Sequence, residues 1–227
     1  MLRGAIGTGY RPPSIDELLG DYTALFPYVG NADLTPETSF SAEIGIDHNF
    51  GNGIELSATA FLLEIENLVT YCDVNPLWAD PACPPVPGVN STLFNVSGVS
   101  RRHGVELTGR AALSDMLTLT GAYTYTHAES ATGDPLPRVP EHDLALGLDA
   151  DFGNGWTAGL TAQHVSGVID GQTLPAWTVF DASLGYEVRD GLEAFVNFDT
   201  IFYESYQTLR GYGTAGRSVY VGIRAAF

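Results

Sequence analysis

Alternation is the feature that most constrains this chain. Apolar and polar residues trade places at every step, in segments of about ten residues, and the pattern recurs along the whole sequence. Leu144, Leu146, Leu148, Ala150 and Phe152 stand against Asp143, Ala145, Gly147, Asp149 and Asp151. Phe180, Ala182, Leu184, Tyr186 and Val188 stand against Asp181, Ser183, Gly185 and Glu187. Similar segments run from Phe40, Ile54, Val105, Leu117, Trp156, Leu192 and Ser218, and Leu2 to Tyr10 makes a weaker first one. A side-chain period of two means strands, each with an oily and a polar face. The chain is therefore expected to be all-β, with ten strands.

The connections decide where such strands live. Four links are tight and rich in turn residues: Gly51-Asn52-Gly53, Ser114-Asp115, Gly153-Asn154-Gly155 and Arg189-Asp190-Gly191. The five others, 11–37, 71–101, 130–140, 169–177 and 200–216, are long. Short and long links alternate without a break. A soluble sandwich has no reason to gather every long loop at one end. An antiparallel transmembrane barrel does, with short periplasmic turns and long outer loops. Strands of about ten residues are also what a tilted strand needs to cross a bilayer. Trp156, Tyr186, Trp177 and Tyr10, near strand ends, are expected in the interfacial girdles. The polar faces carry carboxylates, Thr and Gly, as suits a wet interior.

Composition agrees. No run of 18 apolar residues exists, so no transmembrane helix is available. No basic-then-apolar leader follows Met1, so the natural N-terminus of a secreted chain is expected upstream. A net charge of −17 argues against nucleic acid, which is held by clustered Lys and Arg. Ten residues separate Cys72 and Cys83, in a Pro-rich stretch. They are expected to form a disulfide, as an oxidising compartment permits. No metal site is expected: no His or third Cys lies between them, and Glu129, Asp134 and Asp170 lack calcium-loop spacing. No acid–His cluster is expected near the loop end. His103, His127 and His164 read as scattered, and Asp47-His48 lies at a periplasmic turn, so an enzyme is not expected.

Motifs in the loops then carry a resemblance. Gly9-Tyr10-Arg11-Pro12-Pro13-Ser14 with Glu17-Leu18 resembles the "YRAPS…EL" stretch of TonB-dependent receptors. Asn31-Ala32-Asp33-Leu34-Thr35-Pro36-Glu37-Thr38-Ser39 is similar to their "GNPDLKPETS". Asn95-Val96 with Gly104-Val105-Glu106-Leu107 resembles "N…GVEL", and Leu136 to His142 matches "PxRxPxH". Asp199 to Tyr206 resembles "DNLFDEDY", with Thr200 and Tyr203 replacing the usual Asn and Asp. Gly211 to Arg217 is similar to the "GYxTxGR" tail of the vitamin B12 receptor branch and of some siderophore receptors. The ordered set spans nearly the whole chain.

The resemblance implies that residues 1–227 are the C-terminal part of a 22-strand outer-membrane barrel, without the N-terminal plug and TonB box. It implies TonB-energised uptake of a metal chelate, an iron–siderophore or cobalamin, with no resident cofactor. The expected partners are the ligand, outer-membrane lipid and lipopolysaccharide, and TonB through the missing plug. The barrel-assembly machinery is expected to read C-terminal Phe227. The loop aromatics Tyr22, Phe26, Tyr28, Trp78, Trp177 and Tyr212 are the candidate ligand contacts. The alternative is a self-contained ten-strand barrel acting as porin, adhesin or surface enzyme, since an even strand number permits closure.

Overall fold

The computed structural model describes residues 1–24, 28–73 and 89–226. Candidates Phe26, Trp78, Cys83 and Phe227 lie outside them. The ten strands are β1 (Leu2–Arg11), β2 (Glu37–Gly51), β3 (Ile54–Asp73), β4 (Ser91–Ala112), β5 (Leu117–Glu129), β6 (His142–Asp151), β7 (Trp156–Ser166), β8 (Trp177–Arg189), β9 (Leu192–Asp199) and β10 (Ser218–Ala225). One short helix, α1 (Ile15–Leu19), follows β1. Each strand pairs antiparallel with the next in one sheet, in chain order. β1 and β10 are its two edges, and among the described residues no ladder joins them. The sheet is an open piece of barrel wall, and the self-closed ten-strand alternative lacks its closing ladder.

Register turns alternation into two continuous faces. One cross-strand row reads Ile54, Ala111, Leu119, Leu148, Leu160, Ala182, Phe198 and Val219, from β3 to β10. Every member is apolar. On this face Leu107, Leu146 and Leu160 remain about 45% exposed although each lies in a central strand. Apolar exposure over so wide a surface is incompatible with water and is what lipid requires. The opposite face is polar and cross-linked. Arg3 lies over Gly45, bonds Asp47 at 3.3 Å and Thr59 at 2.5 Å, and reaches Ser57 at 3.3 Å. A Cβ at position 45 would strike that guanidinium at 2.8 Å, so glycine makes its room.

The tight links are found where turn chemistry places them. Asn52 and Gly53 both have positive φ, 52° and 75°. That is the two-residue hairpin turn whose twist matches the flanking strands. The Trp156 and Tyr186 rings pack at 4.7 Å beside the neighbouring Gly153–Gly155 turn, as girdle aromatics do.

Three expectations are corrected. The 71–101 link starts later and ends sooner than expected, because β3 runs to Asp73 and pairs there with Ser91, the first residue of β4. The phase breaks between Glu66 and Leu68, near Asn67 and Gly98 with positive φ. That irregularity hides the ribbon beyond it, 68–73 paired with 91–96, from a period-two reading. Trp177 is the first residue of β8 rather than a loop residue, and it does not join the lipid girdle. Paired with Val165, it shares the inner side with Asp143 and Gln163 and is 8% exposed among Val165, Val168, Leu174 and Val179. Asp47-His48 lies in β2, near its turn end.

The histidines are not scattered. His103 and His127 are cross-strand partners with ring centroids 5.2 Å apart, and His127 meets Glu129 at 3.5 Å. Together with His142 and His164 they fall on the outward face. His142 shares a 2.8 Å hydrogen bond with the Tyr123 hydroxyl. This belt of polar aromatics sits where the apolar band ends toward the long loops, as interfacial side chains do. His142 and Asp143 take opposite faces of the sheet.

Candidate functional site at the outer loops

The loop between β1 and β2 is built onto the long β3–β4 ribbon by the residues of the family-like motifs. Ser14 caps α1 by accepting from the Glu17 N–H at 3.1 Å, and Glu17 accepts from the Ser14 N–H at 2.7 Å. This is a reciprocal capping box, and Ser-x-x-Glu was its signal in the sequence. The Ser14 N–H, with Arg11 beyond it, holds the Glu17 carboxyl below the usual range. Arg11 bridges Glu17 at 3.0 Å and Glu37 at 2.5 Å. Glu37 also accepts from the Val69 N–H of β3 at 2.7 Å.

Asn95 of β4 is the second anchor. Its amide donates to the carbonyls of Thr35 (2.9 Å) and Asn67 (2.7 Å), and its oxygen accepts from the Thr35 N–H at 2.8 Å. Asn31 adds a bond to the Leu93 carbonyl at 2.9 Å, and Leu34 is buried beneath. The motif residues Arg11, Glu17, Asn31, Leu34, Thr35, Glu37 and Asn95 are thus one clamp.

The clamp carries an aromatic ladder. Tyr28 stacks on Tyr71 at 5.8 Å with planes 6° apart, and Tyr22 packs on Tyr28 at 5.9 Å. The Tyr71 hydroxyl donates to Ser91 and the Tyr22 hydroxyl donates to Asp16 at 2.7 Å. That bond to Asp16 pushes the Tyr22 phenol up, and burial, with Asp16 behind it, pushes Tyr28 up. Tyr71 was missed from sequence because it looked like a loop residue; it is the exposed end of an extended strand. Tyr212 is 68% exposed in the β9–β10 loop. Trp177 stacks on Tyr206 at 4.3 Å and so ties that loop to the start of β8.

The other loops are tied together by Asp170. It accepts from Arg138 Nε at 3.1 Å and from the Arg210 N–H at 2.8 Å, joining the β5–β6, β7–β8 and β9–β10 loops. The backbone bond first, then Arg138, holds its carboxyl below the aspartate range. A folded value below the unfolded one means that the clasp stabilises above the unfolded value. The contribution is lost as pH falls through the folded one. Hydrogen exchange in the 130–141, 167–176 and 200–217 loops is expected to stay slow at neutral pH and to rise below about pH 4. Asp170→Asn should remove that step.

Two departures from the family pattern have a visible cost. Thr200 and Tyr203 have φ of 51° and 58°. The usual Asn and Asp tolerate this left-handed region, and a β-branched Thr does not. Thr200→Asn is expected to stabilise by about 1 kcal/mol, read as a higher midpoint in urea titration of the folded protein. A lower midpoint would contradict the backbone account.

Comparisons with known proteins place this geometry. The family described as "TonB dependent receptor-like, beta-barrel" matches residues 1–201. The iron-regulated outer membrane virulence protein of Vibrio cholerae is 26% identical over 247 residues, covering 100% of this chain and 37% of its own length. The vitamin B12 transporter BtuB of Vibrio cholerae is 25% identical over 237 residues, covering 100% of this chain and 34% of its own length. The chain therefore spans little more than a third of these curated relatives. The copper transporter OprC superposes with a TM-score of 0.82 at 17% identity, over 100% of this chain and 37% of that one. The ferric enterobactin receptor of Pseudomonas aeruginosa gives 0.77 at 19%, over 100% and 38%. Those structural likenesses establish the fold. With the family match over most of its length, this chain belongs to the TonB-dependent receptor β-barrel family of the outer membrane.

Proposed function

We propose that residues 1–227 form part of the wall and outer loops of a receptor for TonB-energised uptake of a metal chelate. The observation that carries this reading is the tyrosine ladder of Tyr22, Tyr28 and Tyr71, held rigidly above the membrane band by the Arg11–Glu37–Asn95 clamp. Fixed aromatic surfaces suit bulky, partly apolar ligands. The barrel would be completed by strands beyond this sheet's two edges, since unpaired backbone is not tolerated in lipid. The plug and the TonB contact would also lie outside these residues.

The same reading assigns the remaining roles. Outer-membrane lipid and lipopolysaccharide cover the apolar face and the histidine belt. Phe227 is the assembly signal. Cys72 is buried at the tip of β3 and is not a free thiol, which supports a bond to Cys83 that staples the β3–β4 loop. No catalytic role is assigned: the acid–His contact at Glu129 and His127 faces outward and has no hydroxyl nucleophile bonded to it among the described residues.

The test is growth of the host on single iron, cobalamin or copper sources, with and without the full gene. Loss of growth on one chelate, restored by the gene, supports uptake. Unchanged growth on all of them, with solute leakage through the purified chain in vesicles, would favour the porin alternative.

A further inference from the structure

The names of the matched proteins span ligands of very different charge: vitamin B12, copper and ferric enterobactin. The surroundings of the tyrosine ladder discriminate between them, given the chelate-uptake reading above. Residues 12–100 contain no lysine or arginine, while Asp16, Glu17, Asp21 and Asp33 all stand in the loop that carries the ladder. Arg11 is the cation at the loop's base, and both Glu17 and Glu37 already bind its guanidinium. Asp16 sits at the ladder's exposed end, 2.7 Å from the Tyr22 hydroxyl. Asp21 lies beside it, bonded to Thr23 at 2.6 Å. The other described outer loops are closer to balance: Asp134, Glu141, Asp170 and Glu204 stand against Arg138, Arg210 and Arg217, and Arg138 is bound to Asp170, so the acidic excess is concentrated around the ladder.

We infer that the Tyr22–Tyr28–Tyr71 platform accepts uncharged or cationic chelates, laid with an apolar face on the rings, and rejects polyanionic ones. A tris-catecholate complex of ferric iron is a trianion. It would need unpaired Arg or Lys forks to replace its lost hydration, and beside the ladder it meets Asp16 and Asp21 instead, a like-charge juxtaposition that suppresses binding. A corrinoid offers a broad uncharged face, and a cationic trihydroxamate gains from Asp16 and Asp21.

The test uses the full-length receptor in detergent micelles and three probes: cyanocobalamin, cationic ferrioxamine B and trianionic ferric enterobactin. Quenching of intrinsic fluorescence reads the affinities. One of the first two is expected to bind at least roughly 100-fold tighter than ferric enterobactin. The double variant Asp16→Asn, Asp21→Asn, which keeps the hydrogen-bond acceptors, is expected to narrow that ratio about tenfold. Heat-modifiable gel mobility checks that the variant is folded. Ferric enterobactin binding as tightly as the others, or a ratio unmoved in the folded variant, overturns the inference and leaves chelate uptake standing. Binding of none of the three overturns the uptake reading and this inference with it.

Discussion

Leu160→Arg is expected to cost about 2–4 kcal/mol of folding free energy in a bilayer, whereas Thr161→Arg, one residue on, is expected to cost less than about 1 kcal/mol. Leu160 stands in the all-apolar cross-strand row between Leu148 and Ala182, far from either end of β7. An arginine there must be buried in hydrocarbon or drag water in. Thr161 points to the opposite face, between Gly147 and Asp181. An arginine there meets water and a carboxylate. Reversible urea unfolding of the full-length receptor in vesicles measures both. Equal costs would mean that the two faces do not see different solvents, and the membrane assignment would fail.

Asn95→Ala is the second large effect expected. One side chain satisfies the N–H and C=O of Thr35 and the carbonyl of Asn67. Alanine removes three hydrogen bonds, each worth about 1 kcal/mol net, so the clamp should lose roughly 2–3 kcal/mol. The loss is local, because the barrel ladders do not depend on it. Protease should then cut the 12–36 loop in the folded protein, and exchange at Leu34 and Thr35 should rise strongly. Chelate affinity should fall with the ladder's order. Asn95→Asp keeps the acceptor and loses both donors, so it should fall between. Unchanged protection in Asn95→Ala would show that the loop is held by Arg11 and Glu37 instead.

All ten strands, their two faces and the alternation of short and long links were legible in the sequence. Lipid on one side and water on the other force a strict period of two, and turn chemistry marks the short links. Legibility failed where another constraint overrode that period. The irregularity at Asn67 and Gly98 shifted the phase of β3 and β4, and with it Tyr71 was lost as a ladder member. Trp177 looked like a girdle aromatic because its residue type fits, yet register with Val165 puts it inside. The histidine belt was invisible because its members are brought together by strand pairing, not by spacing.

The candidate site was legible in another sense. The motif residues could be picked out as a set, and their geometry shows why that set exists. Ser14 with Glu17 is a helix cap, Arg11 with Glu37 an ion pair, and Asn95 a backbone clamp. These residues hold the loop against the β3–β4 ribbon. Tyr22 and Tyr28 were singled out as aromatics on a long outer loop. Which of them would touch depended on contacts across the β1–β2 loop and the β3–β4 ribbon, which no local pattern encodes.

The most direct test of the account is a nitroxide scan along β7, residues Trp156 to Ser166, in the full-length receptor in lipid vesicles. Oxygen concentrates in hydrocarbon, and a polar nickel chelate stays in water. The account predicts a period of two, with oxygen collisions peaking at positions 158, 160 and 162 and falling at 157, 159, 161 and 163. A profile without that period, or with nickel access highest at 158, 160 and 162, would contradict it.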